Sequence, residues 1–521
     1  MDRLKKFFAN GILMTAVTLI IRYASVNFNI YISNKIGAVA MGVFTLVLSV
    51  YGFSLTVATS GISLATTKLV SEALGRCALK SNYDISSTVR KIMKKSILLA
   101  TSISTFTAIL LFLTAEPIGI NLLRDSRTIS SLQVLAFSLP AISLSSSLSG
   151  YFTAVRRVYK NAFVQTLSQG LRIYLCPLFL CQIASNDLES ACVAIVIGIT
   201  LSEIISFAIH ALLYLYDRKQ YAGSHIGNTD KTLSKKLLPI TVPVALSAYV
   251  RSALVTVEHL LIPIGLEKSG ASRDISLAAY GTVHSVVFPL VLFPSALSSS
   301  FAGLLVPEIS ESHAANDQAR IERIVSRVLK TVLIYSVGVS AIIICLCGEL
   351  GQVLFQGTDA AVYIAMIAPL IPIMYLDTSV DSILKGLGYQ LYSMVINIAD
   401  ASMSVLLVWL LLPRFGIIGY IITVYFTEIV NAALSITKLL LVTKPKLKIF
   451  DWIAKPIISA IISTSATAFL LESFDMSAQN RTGLFLHIAV ISVLYLFILV
   501  IVRAISPAKI KRSILNFLKA E

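Results

Sequence analysis

Apolar residues fill stretches of about twenty, each long enough to cross ~30 Å of hydrocarbon as a helix. Short polar connections separate them from end to end of the 521-residue chain. The pattern predicts about fourteen transmembrane helices. Twelve fall near 9–33, 38–64, 96–115, 130–152, 161–183, 190–215, 237–263, 276–304, 329–348, 360–384, 392–412 and 416–440, and two more near 452–471 and 483–503. The first stretch follows a basic start, Met1 to Lys6, but holds Arg22 and has no small-x-small cleavage site. It is therefore expected to be a retained helix and not a signal peptide.

The connections alternate in charge. If the chain starts on the inner side, the inner segments hold 32 of the 43 Lys and Arg residues and the outer ones seven. That asymmetry predicts both termini in the cytoplasm. It also accounts for the net charge of +16 without nucleic acid, because basic loops face anionic headgroups. With 56% hydrophobic and 13% charged residues, a polytopic membrane protein is the expected class. The longest inner connections run to about twenty residues, too short for a folded catalytic or ATPase domain. No Gly-x-x-x-x-Gly-Lys phosphate loop is present, so no enzyme activity and no cofactor are expected. The six cysteines have no zinc-ligand spacing with histidines; no metal site is expected, and buried free thiols are.

The two halves resemble each other. Arg22 corresponds to Arg251, Glu72 to Glu308, Pro140 to Pro372 and Glu203 to Glu428, at offsets of 229, 236, 232 and 225. Six spans per half is an even number, so both halves start on the same side and the repeat is parallel. The expected fold is an all-α polytopic membrane protein. Two six-helix bundles, 1–220 and 221–443, are related by an axis along the membrane normal, and 444–521 adds two helices and a basic cytoplasmic tail.

Chemistry concentrates inside the spans. Thr15, Thr18, Arg22, Ser25, Asn29 and Ser33 form one stripe at helical spacing on the first span. Thr45, Ser49, Gly52, Thr56, Ser60, Ser63 and Thr67 do so on the second, Gln165, Gln169 and Arg172 on the fifth, and Ser393, Asn397, Asp400 and Ser404 on the eleventh. Such stripes line a wet cavity or, where they hold only small residues, pack helices closely. Arg22 and Arg251 each lie about fourteen residues past an inner helix end, roughly 20 Å deep. A guanidinium at bilayer depth costs about 3 kcal/mol on insertion scales. Its donor fork suits phosphate oxygens. Arg22, Arg251, Ser25, Asn29 and Arg172 are the candidate binding residues for an anionic substrate; internal pairing, such as Arg251 with Glu258, is the alternative.

Acidic residues also fall within spans. Glu258, Asp377 and Asp381 are candidates for coupling a cation, Na+ or H+, although Asp381 and Lys385 are spaced for a local pair. Glu72 and Glu308 are candidate gate residues, with interhelical pairing as the alternative. His284 is expected to be a packed core histidine. Pro289, Pro294, Pro369 and Pro372 interrupt the eighth and tenth spans, which requires other groups to take up the freed carbonyls.

On these features the chain resembles the multidrug/oligosaccharidyl-lipid/polysaccharide exporter superfamily. Ile32 to Glu72, with Gly37, Gly42, Ser60, Gly61 and Glu72, and Gly150-Tyr151 through Arg156-Arg157 are most similar to its polysaccharide-exporter branch, which includes the lipid II flippases. The resemblance implies alternating-access flipping of an undecaprenyl-pyrophosphate-linked oligosaccharide from inner to outer leaflet in a bacterial plasma membrane. A peptidoglycan precursor is the expected cargo, with spore cortex synthesis as one setting and cell-wall synthesis enzymes as partners. The resemblance places Arg22 at the family's first-span arginine and the last two spans beside a groove for the lipid tail. The second span here offers only Lys68 where lipid II flippases carry further arginines. A multidrug/cation antiporter and a flippase for another lipid-linked polysaccharide are the rival expectations.

Overall fold

A computed structural model describes residues 2–77, 85–183, 187–220, 237–355, 359–445, 450–473 and 481–504. The expected domain boundary at 221 and the basic tail beyond 504 lie outside them. The described residues are helical, with no strand among them.

Two compact units pack separately. The first is Met1–Gly281 with Val405–Gly416, and the second is Thr282–Ser404 with Ile417–Glu521. The first holds α1 (Asp2–Thr59), α2 (Ile62–Cys77), α3 (Ile85–Pro117), α4 (Ile129–Ala136), α5 (Ser138–Ala154), α6 (Val158–Ile183), α7 (Leu188–Gln220), α8 (Leu237–Lys268) and α9 (Arg273–Gly281). The second opens on a π-helical segment, Thr282–Val287, and continues with α10 (Phe288–Leu292), α11 (Ser295–Ala314), α12 (Gln318–Cys345), α13 (Cys347–Leu354) and α14 (Ala360–Ile367). It ends with α15 (Ile371–Gly386), α16 (Gln390–Thr443, except Val405–Gly416, which belongs to the first unit), α17 (Lys455–Ser473) and α18 (Arg481–Ile501). The packing units divide at Gly281, whereas the expected lobes divide near 220.

Among the described residues, ten helices are long and apolar enough to cross a membrane, or eleven if α4 and α5, bent by 42°, count as one span. Two of the ten are far longer than one crossing. The 58 residues of α1 and the 54 of α16 would run roughly 80 to 90 Å if straight, against ~30 Å of hydrocarbon. Each leaves helical dihedrals once, at Gly37 (φ 81°) and at Gly416 (φ 57°). That conformation favours glycine, and it falls where the apolar pattern predicts the turn between two spans. The expectation of about fourteen counts each of these helices as a pair and adds α6, whose span carries Arg172.

Close approach inside the first unit depends on small residues. A Cβ on Gly42 of α1 would run into the backbone of Leu277, and one on Gly281 into the backbone of Gly42. Helices in lipid associate through such contacts because no water-driven core is available.

The broken helices are satisfied from neighbours. Pro372 lacks the N–H that would reach the Ala368 carbonyl four residues back, and the Ser340 hydroxyl donates to that oxygen instead at 2.8 Å. The Tyr375 hydroxyl donates to Val291 O at 2.6 Å and Tyr335 to Pro294 O at 2.9 Å, closing the break between α10 and α11. Tyr425 donates to Met366 O at 2.8 Å. In the first unit, Ser143 donates to Ala58 O at 2.7 Å where α1 gives way to α2. Non-helical backbone at membrane depth is stable when its carbonyls find such donors.

The last two helices pack on each other and on α12. Their anchor is Tyr495, which lies over Gly338 and donates to Ile334 O at 2.7 Å. Cys176 and Cys192 are buried free thiols as expected, whereas Cys181 and Cys345 are exposed, on helix faces that carry apolar neighbours.

Candidate functional site

Three arginines sit deep along helices of the first unit. Arg251 is fourteen residues past the start of α8 (251 − 237) and Arg172 fourteen past the start of α6 (172 − 158). Arg22 precedes the Gly37 turn by fifteen residues (37 − 22). At 1.5 Å per residue each is roughly 20 Å from a helix end.

The stripe around Arg22 is mixed. Arg22 and Asn29 are half-buried. Ser25 turns its hydroxyl back to Ile21 O at 2.8 Å, while the buried Ser33 hydroxyl has no hydrogen-bond partner among the described residues. The second stripe does different work. Tyr249, Ser252 and Thr256 of α8 face α1 and donate to Val57 O at 3.0 Å, to Thr56 Oγ1 at 3.1 Å and to Ser49 O at 3.2 Å. This part of the stripe is an interhelical seam. Arg251 is exposed beside it. The seam joins α8 to the part of α1 after Gly37, and Arg22 lies on the part before it, so these contacts do not by themselves bring the two guanidiniums together.

Arg172 is engaged. Its Nη2 lies 2.7 Å from Glu203 Oε1 on α7, and Ser168 donates to the same oxygen at 3.2 Å. The Arg172 Nε is buried with no acceptor among the described residues. Nearby, Tyr51 shares a 2.5 Å hydrogen bond with Ser138.

The acidic candidates divide by environment. His259, next to Glu258, bonds through Nδ1 to the hydroxyl of the buried Tyr280 at 2.9 Å. In the second unit Asn431 donates to Asp377 Oδ2 at 3.1 Å and Ser435 also faces the carboxylate, whose buried Oδ1 has no close donor among the described residues. Asp400 and Glu428 lie close enough to Asp377 to repel it. Asp381 pairs with Lys385 at 2.5 Å, the local pair its spacing suggests. Glu72 is half-buried on α2, and Glu308 pairs with Arg320 at 3.3 Å between α11 and α12. His284 packs and bonds to Tyr420 at 2.9 Å. Among the described residues no group of three His, Cys, Asp or Glu is arranged to hold a metal ion.

One residue escaped the sequence reading. Asp217, near the end of α7, has a fully buried side chain. Tyr151 donates to its Oδ2 at 3.0 Å, and Lys160 to its Oδ1 at 2.6 Å with Arg157 beside it. Lys160 also lies over the Phe152 ring, whose plane stacks on His210. Asp217 thus gathers Tyr151 and Arg157, both from the segment that carries the family resemblance. In sequence it reads as one acid in a basic inner connection, and no spacing links it to residues some sixty positions away.

Long apolar helices, glycine turns inside double-length helices and charged groups well inside the helices define a multi-pass membrane protein of transporter type. The chain belongs to the polysaccharide biosynthesis protein family, whose profile matches residues 7–313, and thereby to the multidrug/oligosaccharidyl-lipid/polysaccharide exporter superfamily; the MatE profile matches 270–410. It is 24% identical to stage V sporulation protein B of Bacillus subtilis (strain 168), covering 98% of each chain. Its fold is similar to that of lipid II flippase MurJ in an inward closed conformation, with a TM-score of 0.68 and 14% identity over 94% of this chain and 98% of that one. An inward-facing multidrug resistance MATE transporter is also similar in fold, with a TM-score of 0.63 and 13% identity over 82% of this chain and 96% of that one.

Proposed function

We propose that the chain flips an undecaprenyl-pyrophosphate-linked oligosaccharide, a peptidoglycan precursor, from the inner to the outer leaflet. The observation that carries this reading is that Arg22, Arg172 and Arg251 lie well inside three long helices of one packing unit. Both α6 and α8 pack against α1. Family membership and the relatives' names support a lipid-linked glycan as cargo. A pyrophosphate supplies the anionic oxygens that guanidinium forks bind, and no enzymatic step is required. In this reading Ser25 and Asn29 contact the sugars, and the lipid tail runs along α17 and α18. The repeat-related lobes 1–220 and 221–443 alternate access with both termini cytoplasmic, and Glu72 and Glu308 serve at the gate.

The test measures lipid-linked peptidoglycan precursor accessible at the outer leaflet of cells depleted of other flippases. Wild type is expected to restore it, and Arg22→Ala and Arg22→Lys, expressed equally, to lose it. If wild type restores none, the cargo is wrong; if Arg22→Ala restores it fully, the arginine is structural.

A second reading has its own observation. The cluster of Asp377, Asp400 and Glu428 with Asn431 in the second unit suits a cation better than an anion. In the flippase reading this cluster, with Glu258 and Asp381 as further candidates, couples Na+ or H+ to transport. In a drug/cation antiporter it would be the central feature.

A further inference from the structure

Two acids of the first unit, Asp217 and Glu203, differ in how completely they are held. Asp217 is closed off: three donors from α5, α6 and the turn between them converge on both of its oxygens. Among the described residues Glu203 is held through one oxygen, by Arg172 at 2.7 Å and by Ser168 at 3.2 Å. The guanidinium it faces keeps a buried Nε with no acceptor among those residues, and the two side chains are 31% and 18% exposed. An arginine–carboxylate pair reaches full strength when two parallel N–H···O bonds form. Here one forms, and a donor is left over inside the protein, where an unmade hydrogen bond costs free energy. This partner is sufficient to neutralise the arginine and weak enough to be displaced.

We propose that Glu203 is a resident counter-anion that sets the threshold for anion binding at Arg172. It holds the guanidinium against single phosphodiesters, the charge that ordinary anionic phospholipids carry, and yields it to a pyrophosphate. The inference rests on the flippase reading above. Its physical basis is competition. An open cationic site inside a membrane is surrounded by anionic headgroups in large excess, so attraction alone would fill it with the wrong lipid. A fixed carboxylate raises the threshold for every ligand. A pyrophosphate clears the threshold because it brings more charge and enough oxygens to satisfy Nη2 and the idle Nε together. A phosphodiester brings a single charge, no more than the carboxylate it must displace.

The experiment measures binding of undecaprenyl pyrophosphate and of phosphatidylglycerol to the purified full chain by native mass spectrometry. Glu203→Gln is expected to raise both affinities about tenfold, the effect of removing one charge-assisted contact. The cost of displacing the carboxylate is common to both ligands, so their ratio stays near wild type while phosphatidylglycerol gains occupancy. Arg172→Gln combined with Glu203→Gln is expected to abolish the gain. Should Glu203→Gln not elute as a folded species, Glu203→Asp, which withdraws the carboxylate by one methylene, is expected to raise both affinities in the same direction. Unaltered affinities in a folded variant, with or without a lowered melting temperature, overturn the inference and mark the pair as an interhelical staple; the flippase reading then stands. Failure of wild type to bind undecaprenyl pyrophosphate overturns both.

Discussion

Asp217→Asn is the substitution whose cost follows most directly from geometry. The carboxylate is fully buried, while the Arg157 and Lys160 side chains are 27% and 11% exposed. Asparagine preserves the volume and keeps one oxygen for Tyr151, but it leaves the Lys160 ammonium without its anion. Removing one member of a buried charge pair costs about 3 to 5 kcal/mol. The partial exposure of Arg157 argues for the lower end, about 3 kcal/mol. At 2 to 4 °C per kcal/mol for a unit of this size, the melting temperature should fall by roughly 6 °C or more. Fluorescence-detected size exclusion after heating the detergent-solubilised chain measures the shift. Adding Lys160→Met to Asp217→Asn removes the stranded ammonium and should recover part of the loss, giving a double-mutant cycle with non-additive terms. Melting within about 1 °C of wild type for Asp217→Asn would show that the cluster does not carry this energy and refute the argument.

Two further outcomes are expected from packing. Ser340→Ala leaves the carbonyl of Ala368 with the Ile371 N–H but without its hydroxyl donor, and should destabilise the chain by about 0.5 to 1.5 kcal/mol in the same melting assay, with Ser340→Thr close to wild type. Gly42→Leu pushes a side chain into the backbone at Leu277, and should cost at least the 1 to 3 kcal/mol typical of overpacking, visible as loss of folded protein on size exclusion while Gly42→Ala is milder.

The fold was largely legible because lipid imposes one rule on every span. Stretches of apolar residues and the basic character of alternate connections are local signals, and the turns at Gly37 and Gly416 fall in the gaps of that pattern. The prolines of the eighth and tenth spans announced broken helices, but not the donors that repair them. Ser340 and Tyr375 are ordinary residues in sequence, and their hydroxyls matter only because helix packing carries them to the freed carbonyls. The polar stripes were the weakest guide. Serine and threonine at helical spacing look the same whether they face water or another helix, and Thr56 and Ser49 turn out to meet α8. Charge was a better guide than polarity, since an intramembrane arginine needs a reason. Yet the sequence could not say which arginine already had an acid partner: Arg172 and Glu203 are 31 residues apart, and only the packing of α6 on α7 joins them.

The charged groups follow one energetic logic with three solutions. An ion in a membrane protein is stable only if its lost hydration is replaced, and the completeness of replacement decides whether the group can still act. Asp217 is replaced in full, so it fixes the turn between α5 and α6 and has nothing left to offer a ligand. Asp377 receives Asn431 on one oxygen and has Ser435 as a further neighbour. These neutral groups do not offset its charge, and the further acids nearby add to the demand for a cation. Arg172 carries the opposite demand, a buried N–H without an acceptor. Incomplete satisfaction is costly wherever it serves nothing, so the groups left half-satisfied are the ones to test first. The first unit's half-satisfied group asks for an anion and the second unit's for a cation. A flippase that carries a pyrophosphate against a coupling cation has use for both, whereas a scaffold that transports nothing has use for neither.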